Sequence, residues 1–167
     1  ANSLAMNPGT LVEGLTYLKE AFPSIERVTS YARARTIAKR LSVDDLTAMR
    51  EAGLTRLHLG LESGSDFLLQ YVRKGVTKEE QIEAGRKVKE AGIELSEYVV
   101  LGLGGQKWWH EHVVETADTL NHIGPHFIRF RSLKVLKNMP LYEKLVSGDF
   151  TMETDEELLR EERMLIE

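Results

Sequence analysis

Leu11, Leu15, Leu18 and Phe22 fall three and four residues apart, the spacing of one helical face. Asn7-Pro8 ahead of them reads as an N-cap followed by proline at the first helical position, and Pro23 ends the run. The same logic predicts a helix over 43–52, capped by Ser42 and stopped by Gly53 in the left-handed conformation. A short helix follows, opened by Ser65 or Asp66 and closed by Gly75. Thr77 and Glu80 have the spacing of a capping box for a helix that runs to Ala91 and stops at Gly92. A longer one spans 106–123 and ends at Gly124-Pro125. Between these helices lie short runs with strand character over 26–30, 56–61, 95–101 and 126–130. Leu57–Leu61 and Val99–Leu101 are apolar enough to be parallel strands covered on both faces. Gly53, Gly92 and Gly124 each end a helix just before a strand, at the interval of a β/α unit. The pattern predicts an α/β fold, either an open sheet or part of a (β/α) barrel. The end of the chain breaks the alternation. Leu141–Ser147 forms one helix and Thr154 caps a strongly acidic second one, which together read as an extension packed outside the barrel.

Composition narrows the class. Hydrophobic residues make up 42% and charged residues 29%, which excludes disorder, collagen and coiled coil. No apolar stretch is long enough for a transmembrane helix, and the first twenty residues lack a signal-peptide layout, so the expectation is a cytoplasmic protein. A net charge of -4 makes nucleic acid an unlikely general partner and a small molecule the expected one. The absence of cysteine excludes disulfides and thiolate metal sites within these residues. The chain opens on Ala rather than Met and is expected to be processed, tagged or cut from a longer protein.

In parallel α/β folds ligands meet the carboxyl ends of the strands. The candidates are therefore Ser30–Arg35, Glu62–Ser65, Gly102–Gln106 and the group Arg129, Arg131, Ser132 and Lys134. Glu62 follows an apolar strand directly, where its carboxylate would meet a ligand amine or hydroxyl, or else a neighbouring turn or cation. Ser63-Gly64-Ser65 would offer free amides to an anion, or simply cap a helix. Gly104-Gly105 admits a ligand close to the backbone or makes a tight turn, and Gly-x-Gly-x-x-Gly is not completed. Arg33, Arg35, Lys39 and Arg40 form a basic patch, suited to an anion or to a solvated loop. His110 and His112 are read as surface or core histidines and Trp108-Trp109 as helix packing. No Ser-His-Asp, zinc or P-loop pattern is present.

Gly60-Leu61-Glu62-Ser63-Gly64-Ser65-Asp66, then Lys74-Gly75-Val76-Thr77, then Gly102-Leu103-Gly104-Gly105 with Glu115-Thr116, resemble in order the later part of a radical S-adenosylmethionine (SAM) enzyme core. The stretch Thr29–Ala32 ahead of them and Asn138-Met139-Pro140-Leu141 after them fit the same order. Within that superfamily the chain is similar to the anaerobic coproporphyrinogen oxidase-like group of iron–sulfur oxidoreductases. The resemblance implies the later half of a partial (β/α)6 TIM-like barrel over residues 1–137, with 138–167 as a C-terminal helical extension. It implies an enzyme that cleaves SAM at a [4Fe-4S] cluster to a 5′-deoxyadenosyl radical. The cluster is held in that family by Cys-x3-Cys-x2-Cys, which this chain lacks, so it is expected to be a fragment, inactive alone, that carries the fourth to sixth strands. By resemblance, Ser30, Tyr31 and Arg33 meet the SAM ribose, Glu62 and Ser63 stand at the next strand end, and Leu101, Gly102 and Gly104 lie near adenine. No catalytic residue or metal ligand is assigned. Two other readings stand beside this one: a cluster-less β/α binding module, and a barrel lyase with phosphate at Gly104-Gly105. A partial barrel exposes strand edges, so self-association through the first strand is also expected.

Overall fold

In the computed structural model, which describes residues 2–167, Asn7 accepts the amides of Gly9 and Thr10 at 2.9 and 3.4 Å and starts α1 (Pro8–Ala21). Ala1, on which the expectation of a longer parent was framed, lies outside the described residues. Strand β1 (Val28–Ala32) follows, shifted two residues later than the sequence pattern predicts. Next comes α2 (Ala34–Arg40), where the pattern allows a solvated loop. Arg33, at its N-cap, makes no capping bond, so nothing local announces this helix. It is held from outside: Ala34, Ile37 and Ala38 are buried, and the Lys87 ammonium donates to the Ala38 and Leu41 carbonyls at 2.8 and 3.2 Å.

The rest follows the predicted order. α3 (Val43–Glu51) opens on a Ser42–Asp45 capping box, whose backbone and side-chain bonds from Ser42 hold the Asp45 carboxyl below its usual range. It leads into β2 (Leu54–Glu62), α4 (Asp66–Tyr71) and α5 (Lys78–Glu90), the last with the predicted Thr77–Glu80 box. Then come β3 (Glu94–Leu101), α6 (Gly105–Ile123) and β4 (Phe127–Ser132). α7 (Pro140–Ser147) and α8 (Asp155–Ile166) close the chain.

The four strands are all parallel and lie in the order β1-β2-β3-β4, which gives one strand more than the three that the resemblance implied. The result is an open four-stranded α/β sheet, a portion of a TIM-like barrel. Its two faces differ. Leu57, Leu59, Leu61, Leu95, Val99 and Leu101 point to the helices and form the core. His58, Gly60, Ser96 and Tyr98 alternate with them on the other face. The expectation of strands covered on both faces fails here, because the helices of this chain cover one face and leave the other to a cavity. β1 and β4 are the edges, and β4 is exposed along most of its length. Among the described residues no helix is long and apolar enough to cross a membrane.

Candidate functional site

Parallel register places Tyr31 beside His58 and Gly60 beside Tyr98, so three strands project side chains onto one floor. The rings pack: Tyr31 and His58 lie 4.9 Å apart between centroids, and Tyr98 sits 5.9 Å from His58. The Arg131 guanidinium stands 5.2 Å from the Tyr98 ring centroid. Above this floor, towards the strand ends, opens a cavity of about 1080 Å³. That exceeds the volume of most small-ligand pockets, which run to roughly 1,000 Å³.

Glu62 is the distinctive group. It ends β2 at φ 62°, in the left-handed region where a side chain is disfavoured, next to a register shift between Gly60 and Glu62. This backbone turns its carboxylate into the cavity, where it accepts from the Lys74 ammonium at 2.5 Å. Lys74 is delivered by the turn that closes α4, where Arg73 has φ 57°. A Cβ at Gly60 would meet the Glu62 carboxylate, which would have to swing aside from its present position.

The mouth is cationic. Arg33, Arg35, Lys39 and Arg40 line one wall and Arg73 another. The basic patch is thus a helix and its N-cap rather than a loop. It is partly neutralised, since Arg35 and Lys39 reach Glu80 at 4.0 and 3.4 Å and Arg35 donates to the Gly75 carbonyl at 3.0 Å. The aromatic floor has its own electrostatics. A hydrogen bond between the two phenols raises Tyr31 and lowers Tyr98, and Arg131 and Arg129 further favour the Tyr98 phenolate. Burial, then the charges of Arg129 and Arg56, push the His58 imidazole down, so it stands neutral with a buried Nδ1 that has no partner among the described residues.

Of the eight residues expected at the site, Tyr31, Arg33 and Glu62 line this cavity. The other five do not. Ser30 pairs with Leu57 and so faces the helices. Ser63 is completely buried, with Oγ 2.8 Å from His112 Nδ1. Leu101 belongs to the core. Gly102 gives its amide to Glu161 of α8, and Gly104 is the buried N-cap of α6, where the turn closes through a Gly105 amide to Gly102 carbonyl bond of 3.0 Å. Gly104-Gly105 therefore serves the turn and close packing against Trp108 and Phe150. The anion site at Ser63–Ser65 is likewise ruled out, because the Gly64 and Ser65 amides are spent on Thr116 and Ser63. Trp108 packs edge-on against Phe67 and Tyr71, His112 is a core histidine, and His110 is exposed. The residues that sequence reading missed are His58, Tyr98 and Lys74, whereas Arg131 stood among the strand-end candidates and does line the cavity. The available signal was the period-two interruption of apolar strands by His58 and Tyr98.

The comparisons agree with this fold. The Radical SAM superfamily model matches residues 5–120, and the chain belongs to that superfamily. It is 23% identical over 120 residues to tRNA uridine(34) acetyltransferase of Methanocaldococcus jannaschii, covering 69% of this chain and 21% of that protein. It is 28% identical over 101 residues to biotin synthase of Clostridium botulinum, covering 60% of this chain and 30% of that one. Among solved structures it matches coproporphyrinogen III oxidase (HemN) of Escherichia coli with a TM-score of 0.76 at 15% identity, over 99% of this chain and 37% of that chain. The match to Elp3 of Methanocaldococcus infernus has a TM-score of 0.75 at 17% identity, over 97% of this chain and 42% of that chain. The chain thus spans about a fifth to a third of these curated relatives.

Proposed function

We propose that this chain is the SAM-facing part of a radical SAM enzyme core, whose parent generates a 5′-deoxyadenosyl radical and acts on a small molecule. Glu62 carries the reading: a carboxylate held in a strained backbone conformation, aimed into the cavity at a strand end and balanced by Lys74. SAM presents an ammonium, a carboxylate, a sulfonium and a ribose diol. The cavity offers the complementary set, with Glu62 for the ammonium or a hydroxyl, Arg33 and Arg73 for the carboxylate, and Tyr31 as an apolar wall with a polar tip. The iron–sulfur cluster does not fit this chain. There is no cysteine, and among the described residues no group of three or more His, Asp or Glu side chains is placed to hold a metal. The cluster thiolates therefore belong to a segment outside these residues, and what this chain contributes is binding and orientation.

The test is a pair of substitutions at Glu62 in the parent protein, reconstituted with iron and sulfide. Glu62→Ala and Glu62→Gly should each weaken SAM binding by about tenfold to a hundredfold, the worth of one hydrogen bond to a charged group. Their stabilities should differ. Gly relieves the left-handed backbone by roughly 1 kcal/mol and should melt near the wild type, with Ala below it. Unchanged SAM affinity in both variants would assign Glu62 to its ion pair with Lys74 alone.

A further inference from the structure

Ser63, His112 and Glu161 come from three distant parts of the sequence and meet in a row. His112 Nδ1 lies 2.8 Å from Ser63 Oγ, and its Nε2 lies 3.2 Å from Glu161 Oε1 and 3.0 Å from the Val100 carbonyl. Both partners of Nε2 are acceptors, which puts the ring proton there and makes Nδ1 an acceptor for the Ser63 hydroxyl. The arrangement has the connectivity of a serine–histidine–carboxylate triad, yet all three residues are fully buried and no substrate reaches the serine. Its ends show another use. At one end both Glu161 oxygens accept the Gly102 amide, at 3.0 and 3.2 Å. At the other, Ser63 Oγ accepts the Ser65 amide at 3.1 Å, and Thr116, itself 3.2 Å from His112 Nδ1, accepts the Gly64 amide at 2.9 Å. Those amides belong to the turn that begins immediately after Glu62.

We propose that Glu161 and His112 are positioning residues: helix α8, through a buried carboxylate–imidazole–hydroxyl relay, fixes the turn between β2 and α4 and with it the orientation of Glu62 in the cavity. The relevance to SAM rests on the function proposed above, whereas the relay itself does not. A fully buried polar network is costly to leave half-satisfied, so loss of one member is felt at the others. Glu153 supports the arrangement from the loop before α8. Burial and the neighbouring Glu161 and Glu157 push its carboxyl up to about 8, against the opposing charge of Arg160. Below that pH it adds no second negative charge beside Glu161. The acidic C-terminal helix is then a brace of the site rather than a cover over the barrel's outside.

Amide hydrogen exchange on the 167-residue chain tests this without SAM, so it can fail or succeed independently of the cofactor reading. In Glu161→Gln the carboxamide has one acceptor oxygen to divide between Gly102 and His112. The expected result is about tenfold faster exchange at Gly64 and Ser65, on the far side of the relay, with Leu57 and Leu59 of β2 unchanged. Coupling is reciprocal, so Ser63→Ala should speed exchange at Gly102 by a similar factor and Ser63→Thr should restore it. If Glu161→Gln fails to fold, the Ser63 pair decides. The proposal is overturned if Glu161→Gln loosens only α8 and Gly102, with Gly64 and Ser65 within twofold of the wild type, or if Ser63→Ala leaves Gly102 untouched.

Discussion

Glu97→Gln is expected to flatten the pH dependence of stability, leaving the protein about 2–4 kcal/mol better off relative to the wild type at pH 8 than at pH 5. Glu97 lies on the helix-facing side of β3 between Leu95 and Val99, 2% exposed, and its Oε2 has no hydrogen-bond partner among the described residues. Burial, with a smaller push from the charge of Glu62 against the opposing charge of Lys74, raises its carboxyl from the ordinary 4.5 to about 8. A folded-state pKa above the unfolded one means that the native state binds the extra proton between those two values. Stability is therefore full below the unfolded pKa and falls as pH rises towards the folded one. Glutamine has no proton to lose, so that slope disappears. Any cost of its amide applies equally at both pH values. For a domain of this size the difference corresponds to roughly 5–10 °C in melting temperature. Glu153, also raised to about 8, keeps a slope of the same sign in the variant, so the pH dependence is reduced and not abolished. Asp45, Glu94, Asp118 and Glu157 are held low by their hydrogen-bond partners and act on the acid side, outside this window. Thermal melts of both proteins at pH 5 and pH 8 check this, and parallel curves would show that Glu97 ionises at no cost.

The second large effect is an absence of chemistry in the chain by itself. With dithionite and SAM it should yield no 5′-deoxyadenosine, because no thiolate in its 167 residues can hold the cluster that supplies the electron. Binding should be weak as well. The cavity is open, and a ligand that stays half-solvated gains little from burial. A dissociation constant of millimolar order, about -4 kcal/mol, is expected by calorimetry. Micromolar binding would show that residues outside this chain are not needed to complete the pocket, and would favour the reading as a cluster-less binding module.

Much of the scaffold was legible. The capping boxes at Ser42–Asp45, Thr77–Glu80 and Thr154–Glu157 fixed three helix starts, because that signal is local and chemical. α2 was not legible, since its stability comes from burial of Ile37 and from Lys87 reaching across from α5. The site divides along the same line. Tyr31, Arg33 and Glu62 line the cavity where the sequence pattern puts strand ends, because the carboxyl end of a parallel strand is readable from the alternation of helix and strand. Gly102 turns away from the cavity because Glu161 takes its amide, a contact made only once α8 has folded back against β3 and α6, and Ser63 is held by His112 of α6. Nothing in the spacing of Ser63, His112 and Glu161 signals that they meet.

The measurement that bears most directly on the proposed SAM-facing role of the cavity is a backbone and side-chain NMR titration of this chain with SAM into the millimolar range. The account predicts shifts confined to the strand ends around Tyr31, Arg33, Glu62 and Lys74, weakened in Glu62→Ala and absent when SAM is replaced by an uncharged nucleoside. Shifts that centre elsewhere, or none at these residues at any SAM concentration, would contradict it.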